Sequence, residues 1–128
     1  MTVLRSYVSG SWHAPADGQP VLDAVTGAEV TRVASGGIDM AAALDYGRRT
    51  GGPALRQLTF HQRAALAKAV GGMLREHRDE LYALSARTGA TLGDSKFDVD
   101  GGIGVLFSYA SKGRRELPDG TVYVEGDV

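Results

Sequence analysis

At Ser35-Gly36-Gly37 the hydrophobic period of the chain changes, and nothing else in the sequence restricts the fold as strongly. Upstream, apolar positions tend to alternate, as on a half-buried strand. Downstream they recur about every 3.6 residues, as on one face of a helix. A chain written this way puts its strands first and its helices after them.

Leu4 to Val8, the small residues Ser9-Gly10-Ser11 and then Trp12 predict a hairpin. Pro15-Ala16-Asp17-Gly18 is a second turn, and Val21, Leu22 and Val25 beyond it indicate an extended segment. Thr26-Gly27 turns the chain again into Ala28 to Ala34, an imperfect alternation rich in residues that favour strands.

The first helical pattern, Ile38 to Arg49, has Asp39 at its start and Arg48-Arg49 at its end, the order the helix dipole favours, and Gly51-Gly52-Pro53 is expected to stop it. Thr59-Phe60-His61-Gln62 has the form of a capping box. From there Leu66, Ala69, Val70, Met73, Leu74 and His77 follow helical spacing and predict a buried face, opposite Arg63, Lys68 and Arg75. Asp79 is placed to cap a short helix through Leu81, Leu84 and Arg87, with Gly89 as its left-handed terminator. A last helix is expected from about Asp94 to Lys112, with Phe97, Ile103, Leu106, Phe107 and Ala110 on one stripe. Gly101, Gly102 and Gly104 mark a place where another backbone can approach. Pro118-Asp119-Gly120 turns the chain into a strand, Thr121 to Val124, and Glu125-Gly126-Asp127 turns it once more. The expected fold class is therefore α/β, with N-terminal β-hairpins followed by three to four helices and a final strand. At this length a folded chain buries about two-thirds of the surface exposed by its unfolded form.

Composition removes several functions. There is no Cys among the 128 residues, so thiolate nucleophiles, Cys-ligated zinc, redox pairs and the usual iron–sulfur clusters are excluded. A net charge of −1 gives no footprint for nucleic acid. Lys112, Arg114 and Arg115 read instead as a cationic last turn complementing a helix dipole. No apolar run approaches the roughly 20 residues of a membrane span, and the first ten residues lack the apolar core of a signal peptide. A cytoplasmic protein is expected.

None of the remaining candidates assembles into a site. Gly102-Ile103-Gly104 has half of a dinucleotide fingerprint, but Phe107 stands at the third glycine and no strand precedes it. His13, His61 and His77 lack the spacing of a helical zinc pair. Asp94 and Asp98 can share a helix face with Asp100 nearby, which reads more simply as solvated charge near a helix start. Ser9, Ser11, Ser108 and Ser111 have neither a nucleophile elbow nor an adjacent His.

Several strings resemble the N-terminal segment of the aldehyde dehydrogenase superfamily. They are Tyr7-Val-Ser-Gly10-Ser-Trp12, Asp23-Ala-Val-Thr26-Gly27-Ala-Glu29-Val30 in place of Asn-Pro-Ala-Thr-Gly-Glu-Val, Val33-Ala-Ser35, Arg63 to Leu74, and Glu80-Leu81 to Thr88-Gly89. Ala24-Val25 departs from the usual Pro, and Thr88 replaces a frequent Glu. Leu84 to Ala90, Asp100 to Gly104 and Phe107 to Gly120 resemble the branch of phenylacetate catabolism in which a dehydrogenase domain precedes an enoyl-CoA hydratase-like domain.

The resemblance implies an incomplete aldehyde dehydrogenase fold, residues 1–128 forming the N-terminal portion of a cofactor-binding region without the catalytic Cys part or any hydratase domain. In the full-length enzyme a Cys thiolate attacks the aldehyde, hydride passes to NAD(P), and a Glu-activated water releases the acid. The branch further implies opening of an oxepin-CoA ring before oxidation of the resulting CoA semialdehyde. This segment is expected to have no catalytic, cofactor-binding or metal residue and to be inactive alone. Its expected partners are the remainder of its parent chain and further copies in a homo-oligomer, while the aldehyde or CoA-thioester substrate meets only the full-length protein. The alternative is a stand-alone helical binding or assembly module.

Overall fold

The hairpin expected around Ser9-Gly10 is formed in the computed structural model, which describes residues 3–124 and Gly126. Ser9 and Gly10 take φ of 51° and 81°, the two positive values that a tight primed turn demands. They join β1 (Ser6–Val8) to β2 (Ser11–His13) in antiparallel register, with Tyr7 opposite Trp12. Those rings meet edge to face at 5.2 Å, and the Arg5 guanidinium lies 5.1 Å from the Trp12 ring centre.

A second antiparallel pair joins β3 (Gln19–Leu22) to β4 (Glu29–Val33), with a register shift between Val21 and Leu22. Asp23 makes the turn between them. Its carboxylate accepts the Val25 and Thr26 amides at 2.9 Å each, and its carbonyl accepts the Gly27 amide at 2.8 Å. The Thr26 and Val25 amides hold the Asp23 carboxyl below the ordinary carboxylate range. Val25 belongs to this turn and not to the extended segment the sequence suggested.

Asp39 caps α1 (Met40–Tyr46), accepting the Ala42 amide at 2.9 Å. The expected stop at Gly51-Gly52-Pro53 does not occur. The helical path widens into a π turn over Gly47–Gly51, where the Gly52 amide reaches the Gly47 carbonyl, and continues as α2 (Gly52–Gln57). Pro53 thus sits in the first turn of α2, where a missing N–H is tolerated, and the widened turn ahead of it relieves the clash a proline ring makes one turn back. Arg49 pairs with Asp45 at 2.9 Å.

The chain divides into two units, Met1–Pro53 with Arg87–Gly89 and Ala54–Ala86 with Ala90–Val128. The second is built on α3 (Phe60–Glu76), α4 (Arg78–Ala86) and α5 (Leu92–Glu116). The capping box of α3 is present as expected, Thr59 accepting the Gln62 amide at 3.1 Å and Gln62 accepting the Thr59 amide at 2.8 Å. Thr59→Ala is expected to lower the stability of this unit by about 1 kcal/mol, measurable as a lower urea midpoint of the helical signal. A second box, Thr91 with Asp94, opens α5. Gly89 takes φ of 88° beyond α4.

The packed faces differ from those expected. On α3 the buried residues are Ala64 and Gly71, with Ala67 and Leu74 half-buried, whereas Leu66, Val70 and Met73 are each about half exposed. The contact face is rotated by about 120° from the predicted one, at about 100° per residue. Small residues explain this. A Cβ on Gly71 would lie 3.3 Å from the Leu106 Cβ, and one on Gly113 would lie 3.2 Å from the Ala64 Cβ, so α3 and α5 approach where side chains are shortest. Gly101, Gly102 and Gly104, where the sequence suggested that another backbone can approach, have no neighbour near a would-be Cβ among the described residues.

Ile103 and Ala110 of α5 are buried and Leu106 and Phe107 half-buried, but Phe97 is 82% exposed. Its position six residues before Ile103 places it about 120° away around the helix. In the first turn of α5, Ser95 is buried and bonded to Ser85 of α4 at 3.0 Å. Thr121 to Val124 forms no strand. The helical unit offers no sheet edge among the described residues, and an unpaired strand leaves its backbone groups without partners. Of the turn expected after it, Glu125 and Asp127 lie outside the described residues.

The accessible surface is 9291 Å², against about 19,600 Å² for the unfolded chain of this mass. About half is buried, less than the expected two-thirds and less than the roughly 60% that two separately packed units of half this size would bury. The shortfall is visible in the residues themselves, since the buried hydrophobic set among the described residues is Ala64, Ile103 and Ala110.

Candidate functional site

The histidines are each engaged locally. His13 Nε2 donates to the Gly36 carbonyl at 2.8 Å, in the β-rich unit. His61, in the first turn of α3, donates from Nε2 to the Leu117 carbonyl at 2.9 Å, while the adjacent Phe60 amide donates to the Gly120 carbonyl at 2.9 Å. Together they fasten the segment after α5 to the start of α3. His77 ends α3 and contacts the Glu80 carboxylate through Nδ1 at 3.0 Å.

That hydrogen bond, with the Glu80 charge, raises the His77 pKa above its ordinary value. A raised folded-state pKa means the pair stabilises the fold fully at pH below the unfolded-state value and ceases to as pH rises through the folded one. Proton NMR titration is expected to show His77 titrating above a peptide histidine in this protein and at lower pH in Glu80→Gln.

The acidic group is dispersed. Asp94 serves the capping box of α5, and Asp100 accepts the Tyr82 hydroxyl at 2.6 Å, which raises the Tyr82 pKa. No cluster of three potential metal ligands occurs among the described residues. Ser11 Oγ closes its own hairpin on the Val8 carbonyl at 3.3 Å, and Ser9 forms the turn. Ser108 and Ser111 lie on exposed α5, with no His in the same helix. Gly102-Ile103-Gly104 is inside α5, where the amides serve the helix, far from the free N-terminal amides that hold a pyrophosphate. These residues do not fit a nicotinamide cofactor, so no step through one is assigned to them.

What packing does create is a groove of about 490 Å³ between α3 and α5, floored by Ala64, Phe107 and Ala110 and flanked by Lys68, Arg114 and Arg115. The two arginines stand in a last helical turn, as the sequence indicates, and Lys68, read as part of a polar face, is exposed on α3 beside the groove. That these cations share one groove depends on the α3–α5 contact, which no local pattern encodes. The buried Ser85–Ser95 pair was likewise invisible in sequence.

The strand-then-helix order, the Asp23 turn and the three capped helices fit the aldehyde dehydrogenase resemblance, and comparison with known proteins establishes it. The profile of the aldehyde dehydrogenase family matches residues 12–126, and the chain belongs to that family. It is 44% identical over 113 residues to the 3,4-dehydroadipyl-CoA semialdehyde dehydrogenase of Aromatoleum evansii. The aligned part is 87% of this chain and 22% of that relative, so the chain spans a minor part of the enzyme it matches. No helix among the described residues is long and apolar enough to cross a membrane.

Proposed function

We propose that the chain is a scaffold segment of an NAD(P)-dependent aldehyde dehydrogenase that oxidises a CoA-linked semialdehyde to the acid. One observation carries this reading: the family match runs through residues 12–126 of a sequence that holds no Cys. The oxidation requires an activated nucleophile and a bound nicotinamide, and the lack of a Cys in this segment supports a structural role for it within a longer, cytoplasmic enzyme. The semialdehyde follows from the relative's substrate, and the phenylacetate-like strings extend the reading to an oxepin-CoA whose ring a hydratase-like domain opens. The test is the coding sequence after Val128. A continuation bearing a Cys is expected, and an immediate stop codon would instead leave a helical assembly module.

The apolar residues left open on α3 and α5 are, on this reading, surfaces for the remainder of the parent chain or for a further copy in an oligomer. Leu66, Val70 and Met73 recur at helical spacing on α3, and Phe97, Val105 and Tyr109 are exposed on α5. Exposed apolar area of this kind drives association. Sedimentation velocity is expected to show self-association that grows with concentration and is reduced by Val70→Glu, whereas a strictly monomeric profile throughout would count against the surfaces.

A further inference from the structure

The α3–α5 groove combines an apolar floor with three cations on its flanks. Like most lysines and arginines of the chain, Lys68, Arg114 and Arg115 have no carboxylate within ion-pair distance among the described residues; what sets these three apart is that they flank one groove. We propose that this groove binds the phosphate-bearing end of coenzyme A in a CoA-thioester substrate. The inference rests on the reading of the chain as part of a CoA-semialdehyde dehydrogenase and adds to it a place where the substrate's anionic handle is held.

Guanidinium groups present planar, paired donors that match phosphate oxygens, and Lys68 adds a compact charge on the opposite helix. Phe107 and the alanines give the nucleoside an apolar surface, and the Arg75 guanidinium lies 5.2 Å from the Phe107 ring centre. The groove's volume falls within the range of small-molecule sites, enough for a phosphorylated nucleoside and not for the whole cofactor. Because Arg114 and Arg115 stand at the carbonyl end of α5, the helix dipole opposes an anion there. Recognition therefore depends on the side chains, and binding weakens as salt screens them.

The same chemistry would be presented by the 2′-phosphate of NADP, so the probes must separate the two. Isothermal titration of the 128-residue protein with coenzyme A, 3′-dephospho-coenzyme A and NADP is expected to rank coenzyme A tightest. Loss of the 3′-phosphate, or the pair Arg114→Gln and Arg115→Gln, is expected to weaken it at least about tenfold. Arg48→Gln with Arg49→Gln, remote in sequence and outside the groove, is expected to leave affinity unchanged, with circular dichroism confirming that every variant is folded. Equal or tighter binding of NADP, equal loss in the control pair, or no binding by the folded protein would each overturn the assignment. In the enzyme carrying its catalytic Cys, the groove variants are expected to raise KM for a CoA semialdehyde and not for a CoA-free aldehyde. An enzyme that oxidised neither would defeat the dehydrogenase reading while leaving the titration result standing.

Discussion

Gly71→Leu is expected to destabilise the helical unit by about 2–3 kcal/mol, because it drives a large side chain into the closest approach between α3 and α5. Even a Cβ at Gly71 would lie 3.3 Å from the Leu106 Cβ and 3.4 Å from the Phe107 ring, so the remaining atoms of leucine have no room unless the helices part. Gly71→Ala separates packing from propensity. Alanine gains about 1 kcal/mol in a helix interior and requires a shift of only a few tenths of an ångström, so it is expected near neutrality. Gly72, with open space where its Cβ would stand, is the control: Gly72→Ala is expected to stabilise by up to about 1 kcal/mol. Urea unfolding followed by circular dichroism checks all three. A Gly71→Leu protein as stable as the parent would show that α3 and α5 do not pack at Gly71.

The same pair of glycines shows where sequence reading succeeds and where it stops. The box at Thr59 and Gln62 was legible because both partners lie within one turn and their chemistry is local. The box at Thr91 was missed because an Asp, shorter than the usual Glu or Gln, occupies its third position. Gly10 announced a turn for similarly local reasons, whereas Asp39, read only as a charge that the helix dipole favours, also caps α1. Choosing the buried face of α3 was another matter. Leu66, Val70 and Met73 carry the larger apolar area and mark a face that favours burial, but α5 meets α3 along Ala64, Ala67 and Gly71, where helices can come closest. Periodicity identifies an apolar stripe and leaves its partner unspecified. Pro53 misled for a different reason, since a stop signal and a first-turn proline look alike until the π turn ahead of it is seen.

The candidate site followed the same division. The spacing of the histidines and acidic residues, and the lack of a strand before Gly102-Ile103-Gly104, gave no motif to follow, and the structure engages these residues in caps, turns and helix backbone. The groove was not legible, because Lys68 and Arg114 are brought together only by the packing of small residues on two helices distant in sequence.

The largest expected effect is a complete one. The purified 128-residue protein is expected to produce no NADH or NADPH from an aldehyde or a CoA semialdehyde. The chemistry needs a thiolate, and the chain has no Cys to provide it. Raising pH, which assists a thiolate mechanism by deprotonating the nucleophile, is expected to change nothing here, and joining the chain to a Cys-bearing remainder is expected to restore turnover. We propose that this chain carries a dehydrogenase's scaffold and none of its reacting groups. The measurement that tests it most directly is nicotinamide absorbance during incubation of the 128-residue protein with substrate and NAD(P). A rate equal to the protein-free control is predicted, and reduced nicotinamide that accumulates in proportion to the protein through successive purification steps would contradict it.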